Sequence, residues 1–115
     1  MRCILIDAKN STVREVDVDE EKNILSQCRR LLDCSITMKE FSLNNNDSLV
    51  VDADGKSEIT SETKFFSIDG YMVVGNGLII GCNKDITVSL EEIEPRVRFH
   101  NIFTLDKKQR KELFG

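Results

Sequence analysis

Between Lys64 and Cys82 the chain reads KFFSIDGYMVVGNGLIIGC, and this stretch narrows the choice of fold more than any other. Phe66 and Ile68 flank Ser67 in the period-two alternation of a half-buried strand, and Asp69-Gly70 behind them tolerates the positive φ of a tight turn. Gly75-Asn76-Gly77 gives a second break, after which Leu78-Ile79-Ile80 is a short apolar run closed by Gly81. A run that is apolar on both sides of the pleat predicts a central strand. The glycines on either side of Asn76 let the backbone approach something closely, either a neighbouring strand or a ligand.

The rest of the chain reads as a frame for that stretch. Arg2 to Ala8 and Thr12 to Val18 predict two strands joined as a hairpin through Lys9-Asn10-Ser11. Asp19 is the expected cap of the main helix, about 20–32, with Glu20 and Glu21 in its first turn. Ile24, Leu25, Cys28, Leu31 and Leu32 share one stripe, predicted to pack on the sheet. Ile36, Met38 and Phe41 predict an extended segment that ends in the loop residues Asn44 to Asp47, followed by a strand at Leu49-Val50-Val51. Asp52-Ala53-Asp54-Gly55 spaces its carboxylates like a calcium loop, but the twelfth position falls on Ser61 rather than a glutamate and the flanks read as strand, so a turn is expected. Ser57 to Thr63 reads as a surface connection, Asn83-Lys84-Asp85 as a loop and Ile86-Thr87-Val88 as a short strand or arm. Ser89 and Glu92 have capping-box spacing for a short helix near 90–94 that stops or distorts at Pro95. Val97 and Phe99 share one face of a closing extended segment, and Thr104 is the expected cap of a last helix near 105–113. The fold class is therefore α+β: a single domain over residues 1–103, mostly antiparallel sheet packed by one main helix, with a basic helix or tail at 104–115.

A chain of 115 residues with 40% apolar and 31% charged side chains can bury one core without disulfides or metal. Its net charge of -4, with basic residues scattered except in the last ten positions, argues against a nucleic-acid partner. The opening MRCILIDAKN does not resemble a leader and no apolar run is long enough to span a bilayer, so a cytoplasmic protein with no membrane partner is expected. Cys3 in a strand-like apolar run, Cys28 in the apolar stripe of the helix and Cys82 just after a strand read as reduced thiols, with Cys34 the one expected at the surface. The Cys28-x5-Cys34 spacing and the single His100 give no zinc pattern, and no metal or cofactor is expected. With one histidine, no Gly-x-Ser-x-Gly elbow, and Glu91 and Glu92 pointing apart on a helix, the chain is not read as an enzyme. Gly75-x-Gly77-x-x-x-Gly81 misses the dinucleotide spacing and opens a strand where a helix is needed.

The order MRCILIDAKNSTVREVDV, one helix, LVVDADGK, FFSIDGY, VVGNGLIIG and SLEEIEPRVRF resembles a family of small domains of unknown function carried by bacteriophages, plasmids and some bacterial genomes. The resemblance covers roughly residues 1–100 and is most specific from Phe66 to Gly81. Met72 and Val73 stand where such sequences often have prolines, and the basic tail lies outside the pattern. It implies a mobile-element setting, and with it a non-catalytic binding or inhibitory protein that antagonises host defence by masking a host protein or sequestering a signalling nucleotide. For a nucleotide, Phe65, Phe66 or Tyr71 would stack on the base, the amides from Gly75 through Asn76 to Gly77 would approach phosphate, and Arg96 or Arg98 would neutralise it. In the plainer reading of the same residues, the aromatics are core and the arginines solvated. The alternative function is a structural or assembly module that forms a homo-oligomer through an exposed strand edge or the last helix.

Overall fold

The computed structural model describes residues 1–33, 38–54, 59–82 and 85–114, the side chain of Phe114 excepted. The expectations placed on Cys34, Ile36, Gly55, Ser57 and Asn83-Lys84 lie outside the described residues. In chain order the elements are β1 (Arg2–Asp7), β2 (Thr12–Asp17), α1 (Ile24–Leu32), β3 (Met38–Ser42), β4 (Asp47–Asp52), β5 (Lys64–Ile68), β6 (Tyr71–Val74), β7 (Gly77–Gly81), α2 (Leu90–Ile93), β8 (Val97–Asn101) and α3 (Lys107–Phe114). No helix among the described residues is long and apolar enough to cross a membrane.

The strands form two antiparallel sheets, ordered β2-β1-β7-β4-β3 and β6-β5-β8. Period-two alternation sorts their side chains into three apolar layers. Ile4, Ile6, Leu49, Val51 and Ile79 of the larger sheet face Phe66, Ile68 and Val73 of the smaller one, and this is the central core. The alternate residues Cys3, Leu5, Val50 and Leu78 face outward and are covered by Cys28 and Leu32 of α1. Phe65, Met72 and Val74 point out of the smaller sheet and are covered by Leu105 and by Leu113 of α3. The molecule is thus helix, sheet, sheet, helix. The central strand predicted at Leu78-Ile79-Ile80 is β7, paired on both sides.

Local chemistry explains most of the joints. Asp69 (φ 52°) and Gly70 (φ 82°) form the two-residue turn between β5 and β6, the left-handed pair that a hairpin of this length requires. Asp47, 1% exposed, accepts hydrogen bonds from the Thr87 amide (3.0 Å), the Thr87 hydroxyl and Asn44 Nδ2 (2.9 Å). That ties residues 85–88 across one end of the sandwich, where Ile86 and Val88 close the central core as an arm rather than a strand. The capping box at α2 is formed, with Glu92 N donating to Ser89 Oγ at 3.2 Å and Glu92 Oε1 accepting from the Ser89 amide at 3.3 Å.

Two helix starts differ from expectation. Asn23, rather than Asp19, caps α1 by accepting from the Ser26 amide at 3.1 Å. Asp19 sits one turn earlier, its backbone gripped on both sides by the Gln27 side chain (2.9 and 2.8 Å), so residues 19–22 form a turn ahead of the helix. Of the predicted stripe only Cys28, Leu31 and Leu32 meet the sheet; Ile24 is 37% and Leu25 56% exposed. At α3, Asp106 and Gln109 cap each other reciprocally (2.8 and 2.9 Å), while Thr104 bonds back to Asn101.

Candidate functional site

The link from β6 in one sheet to β7 in the other is the pair Gly75-Asn76, and a cleft of about 570 Å³ opens beside it. Four separate segments meet there: the turn after β1, the last turn of α1, the end of β4 at Asp52, and residues 62–64 leading into β5. Gly75 takes a φ of 82°, and a side chain built on it would meet nothing within 4 Å, so the glycine is there for its backbone conformation. Asn76 fixes the floor: its Oδ1 accepts from the Ala8 amide at 2.9 Å and its Nδ2 donates to the Leu31 carbonyl at 3.3 Å. Asp7, 5% exposed, accepts from the Asn10 amide (3.1 Å), Asn10 Nδ2 (2.8 Å) and Arg14 Nη1 (3.2 Å). Burial alone would raise its carboxyl, but these donors outweigh burial and hold it below the usual carboxylate range.

The charges around the cleft are mixed. Lys9, Arg30 and Lys64 line it together with Asp7, Asp33, Asp52 and Glu62. The carboxyl end of α1 also faces it, with Asp33 in a left-handed conformation (φ 54°) donating its amide to the Arg29 and Arg30 carbonyls. Such an opening offers both signs of charge and a carbonyl-rich wall, and suits a ligand with donors and acceptors better than a bare anion.

Of the sequence-predicted site residues, Gly75 and Asn76 line the cleft and the others do not. Phe65 and Phe66 are 0% exposed and belong to the core, so neither can stack on a ligand. Gly77 is a packing glycine: a Cβ there would lie 2.6 Å from Phe66 Cζ and 3.0 Å from Leu49 Cδ1. The Gly75 amide is already spent on the Lys64 carbonyl at 3.1 Å, which removes it as a phosphate donor. Arg96 is engaged through Nε (2.9 Å) and Nη2 by both carboxylate oxygens of Asp69, at the opposite end of β5 from Gly75. Arg98 is exposed on β8 opposite Ser67, away from the cleft. Tyr71 is 53% exposed on β6 and packs against Phe41 of β3 with ring centroids 5.0 Å apart, while Lys39 Nζ lies 5.2 Å over the Phe41 ring. Shallow hollows of about 120, 280 and 310 Å³ meet at Tyr71, making it a second, exposed feature of the surface.

Sequence reasoning missed the charged lining because those residues sit at the ends of separate strands, at the end of α1 and in the turns beside them, and read as ordinary solvated charges until the chain folds. It also missed a contact between Ser67 Oγ and His100 Nε2 at 3.0 Å on the outer face of the smaller sheet. Burial, then the neighbouring Arg98, lower the His100 pKa, with Asp106 opposing. Ser67 is 6% exposed and lines none of these hollows, so its contact orients the imidazole within the sheet face. Among the described residues no three His, Cys, Asp or Glu side chains gather as metal ligands. Compared with protein-family models, with curated proteins and with solved structures, the chain has no significant match.

Proposed function

We propose that this chain is a non-catalytic binding protein, of the kind mobile genetic elements carry, that acts in the host cytoplasm by engaging a host protein at the cleft beside Gly75 and Asn76. The observation that carries the reading is the cleft itself: about 570 Å³, within the range of ligand-binding clefts, built on a floor whose asparagine is hydrogen-bonded to two different elements. The mobile-element setting is supported by the resemblance of Phe66 to Gly81. Between the two kinds of target, a protein is better supported than a nucleotide. Among the described residues no aromatic side chain lines the cleft, the Gly75 amide is engaged, and the carboxylates with the carbonyl end of α1 oppose phosphate. A mixed-charge rim instead complements the side chains of a protruding polypeptide segment.

The test is photocrosslinking in host cells from a photoreactive residue placed at Lys64 on the rim, with Glu91, exposed on α2 and outside the cleft lining, as control. The expected result is one dominant protein adduct from position 64, lost when Arg30→Glu and Lys9→Glu are combined. Adducts equally abundant from both positions, or a purified protein that carries a nucleotide-sized mass, would sink the reading.

A further inference from the structure

The overall charge of -4 hides a sharp division. Residues 104–115 carry four basic and two acidic side chains, whereas residues 1–103 carry twelve basic and eighteen acidic ones. On α3 the cations Lys107, Lys108, Arg110 and Lys111 are exposed, the three lysines on the arc opposite Gln109 and the buried Leu113 and Arg110 at its edge, and none forms an ion pair among the described residues. Just before the helix, Phe103 is 80% exposed. It is no loose side chain: Asn101 Oδ1 accepts from the Phe103 and Thr104 amides (2.9 and 3.1 Å), so a bonded turn presents the ring to solvent. Leu105 is buried in the layer under α3, which anchors the turn to the body.

The complement to this corner is on the same molecule. Asp17, Asp19, Glu20 and Glu21 supply four acids in five residues ahead of α1, and the exposed Ile24 and Leu25 follow at once. Lys22 approaches Asp19 at 3.8 Å and the Met1 amine approaches Asp17 at 3.1 Å, while Glu20 and Glu21 have no ion pair among the described residues. One corner is therefore basic with an apolar knob, and the other acidic with an apolar ledge. They lie on opposite outer layers, since α1 covers the larger sheet and α3 the smaller. They also lie at opposite ends: Asp17 is paired with Arg2, the end of β1 remote from the cleft, whereas Asn101 is paired with Lys64 at the cleft.

We propose that this chain assembles head to tail, the Phe103 and α3 corner of one copy docking on the residue 17–25 corner of the next. Charge selects the arrangement. Two α3 corners brought together about a two-fold axis repel, as do two acidic corners, and only the unlike pairing is attractive. Because the corners are on opposite layers, each copy offers one free donor and one free acceptor after the first contact, and growth continues until a ring closes or a filament forms. None of these residues lines the cleft, but Asn101 is paired with Lys64 on its rim, so a docked copy stands beside the proposed host-protein site.

Sedimentation velocity across protein concentration decides the matter. At an ionic strength of about 0.01 M, where charges act over about 30 Å, species larger than a dimer grow with concentration; at about 1 M, where the reach is about 3 Å, they dissociate. A chain with Lys107→Glu and Lys108→Glu, and a chain with Glu20→Lys and Glu21→Lys, each sediment as monomers, with circular dichroism confirming that both are folded. Mixed in equal amounts they assemble again, because each reversed corner now meets an opposite charge. Phe103→Ser and Leu25→Ser each weaken assembly about tenfold while leaving its salt dependence in place. A wild-type chain that stays monomeric at every concentration and ionic strength overturns the proposal. So does a closed dimer indifferent to both reversals, or a failure of the mixed variants to associate, and in those cases α3 serves a different partner.

Discussion

At Gly77 one methyl group decides whether the two sheets can meet. An alanine there would put its Cβ 2.6 Å from Phe66 Cζ, and Phe66 is 0% exposed with nowhere to swing. Gly77→Ala is expected to cost about 1–3 kcal/mol by overpacking, measured as a lowered urea midpoint with unchanged slope. Gly70→Ala meets no atom within 4 Å, yet its φ of 82° makes it lose about 1–2 kcal/mol through backbone strain instead. The close approach expected of the Gly-x-Gly pattern holds at Gly77 alone, against side chains, while Gly75 has open space beside it; the neighbour could not be read because it depends on Phe66 arriving from another strand. Asp47 makes a second case. Burial would raise its carboxyl, but hydrogen bonds from Thr87 and Asn44 prevail and lower it from 3.8. A depressed carboxylate contributes stability that is complete above its unfolded value and lost as pH falls through the folded one. Thermal unfolding of the wild type should therefore decline below about pH 4, and Asp47→Asn should be less stable at neutral pH with a flatter acid limb.

Among the elements, α2 was the most legible, since Ser89 and Glu92 name both ends of its capping box. Ser89→Ala should lower stability by about 1 kcal/mol, and the same holds for Asn23→Ala at α1. Asp19 was legible as a cap and is not one. Asp19 and Asn23 are both good capping residues, and local sequence cannot rank them; the Gln27 side chain, reaching back eight residues to the Asp19 backbone, settles the choice. The error carried the apolar stripe with it, leaving Ile24 and Leu25 exposed. The cleft was the least legible feature. Its Gly75-Asn76 floor could be read as a turn, but Lys9, Arg30, Asp52 and Lys64 converge only when four segments distant in sequence are brought to one end of the sandwich.

For the whole molecule, the three apolar layers make the thiols reporters of unfolding. Cys3 and Cys28 are buried between α1 and the larger sheet, burial first of all pushing Cys3 up to about 11 and Cys28 upward too, whereas Cys82, expected inside, is exposed. Under native conditions an alkylating reagent should label Cys82 promptly and leave Cys3 and Cys28 protected, their labelling rate tracking stability as denaturant rises. Equal native labelling of the three would show that α1 opens freely. The crossover at Gly75-Asn76 governs how such opening proceeds. Its three inter-residue steps from Val74 to Gly77 reach at most about 11 Å, scarcely more than the roughly 10 Å between stacked sheets. A tether with so little slack forbids the two sheets to slide or gape independently, so they should melt as one rigid slab. Splicing a few extra residues into it would be the simplest way to make them part company.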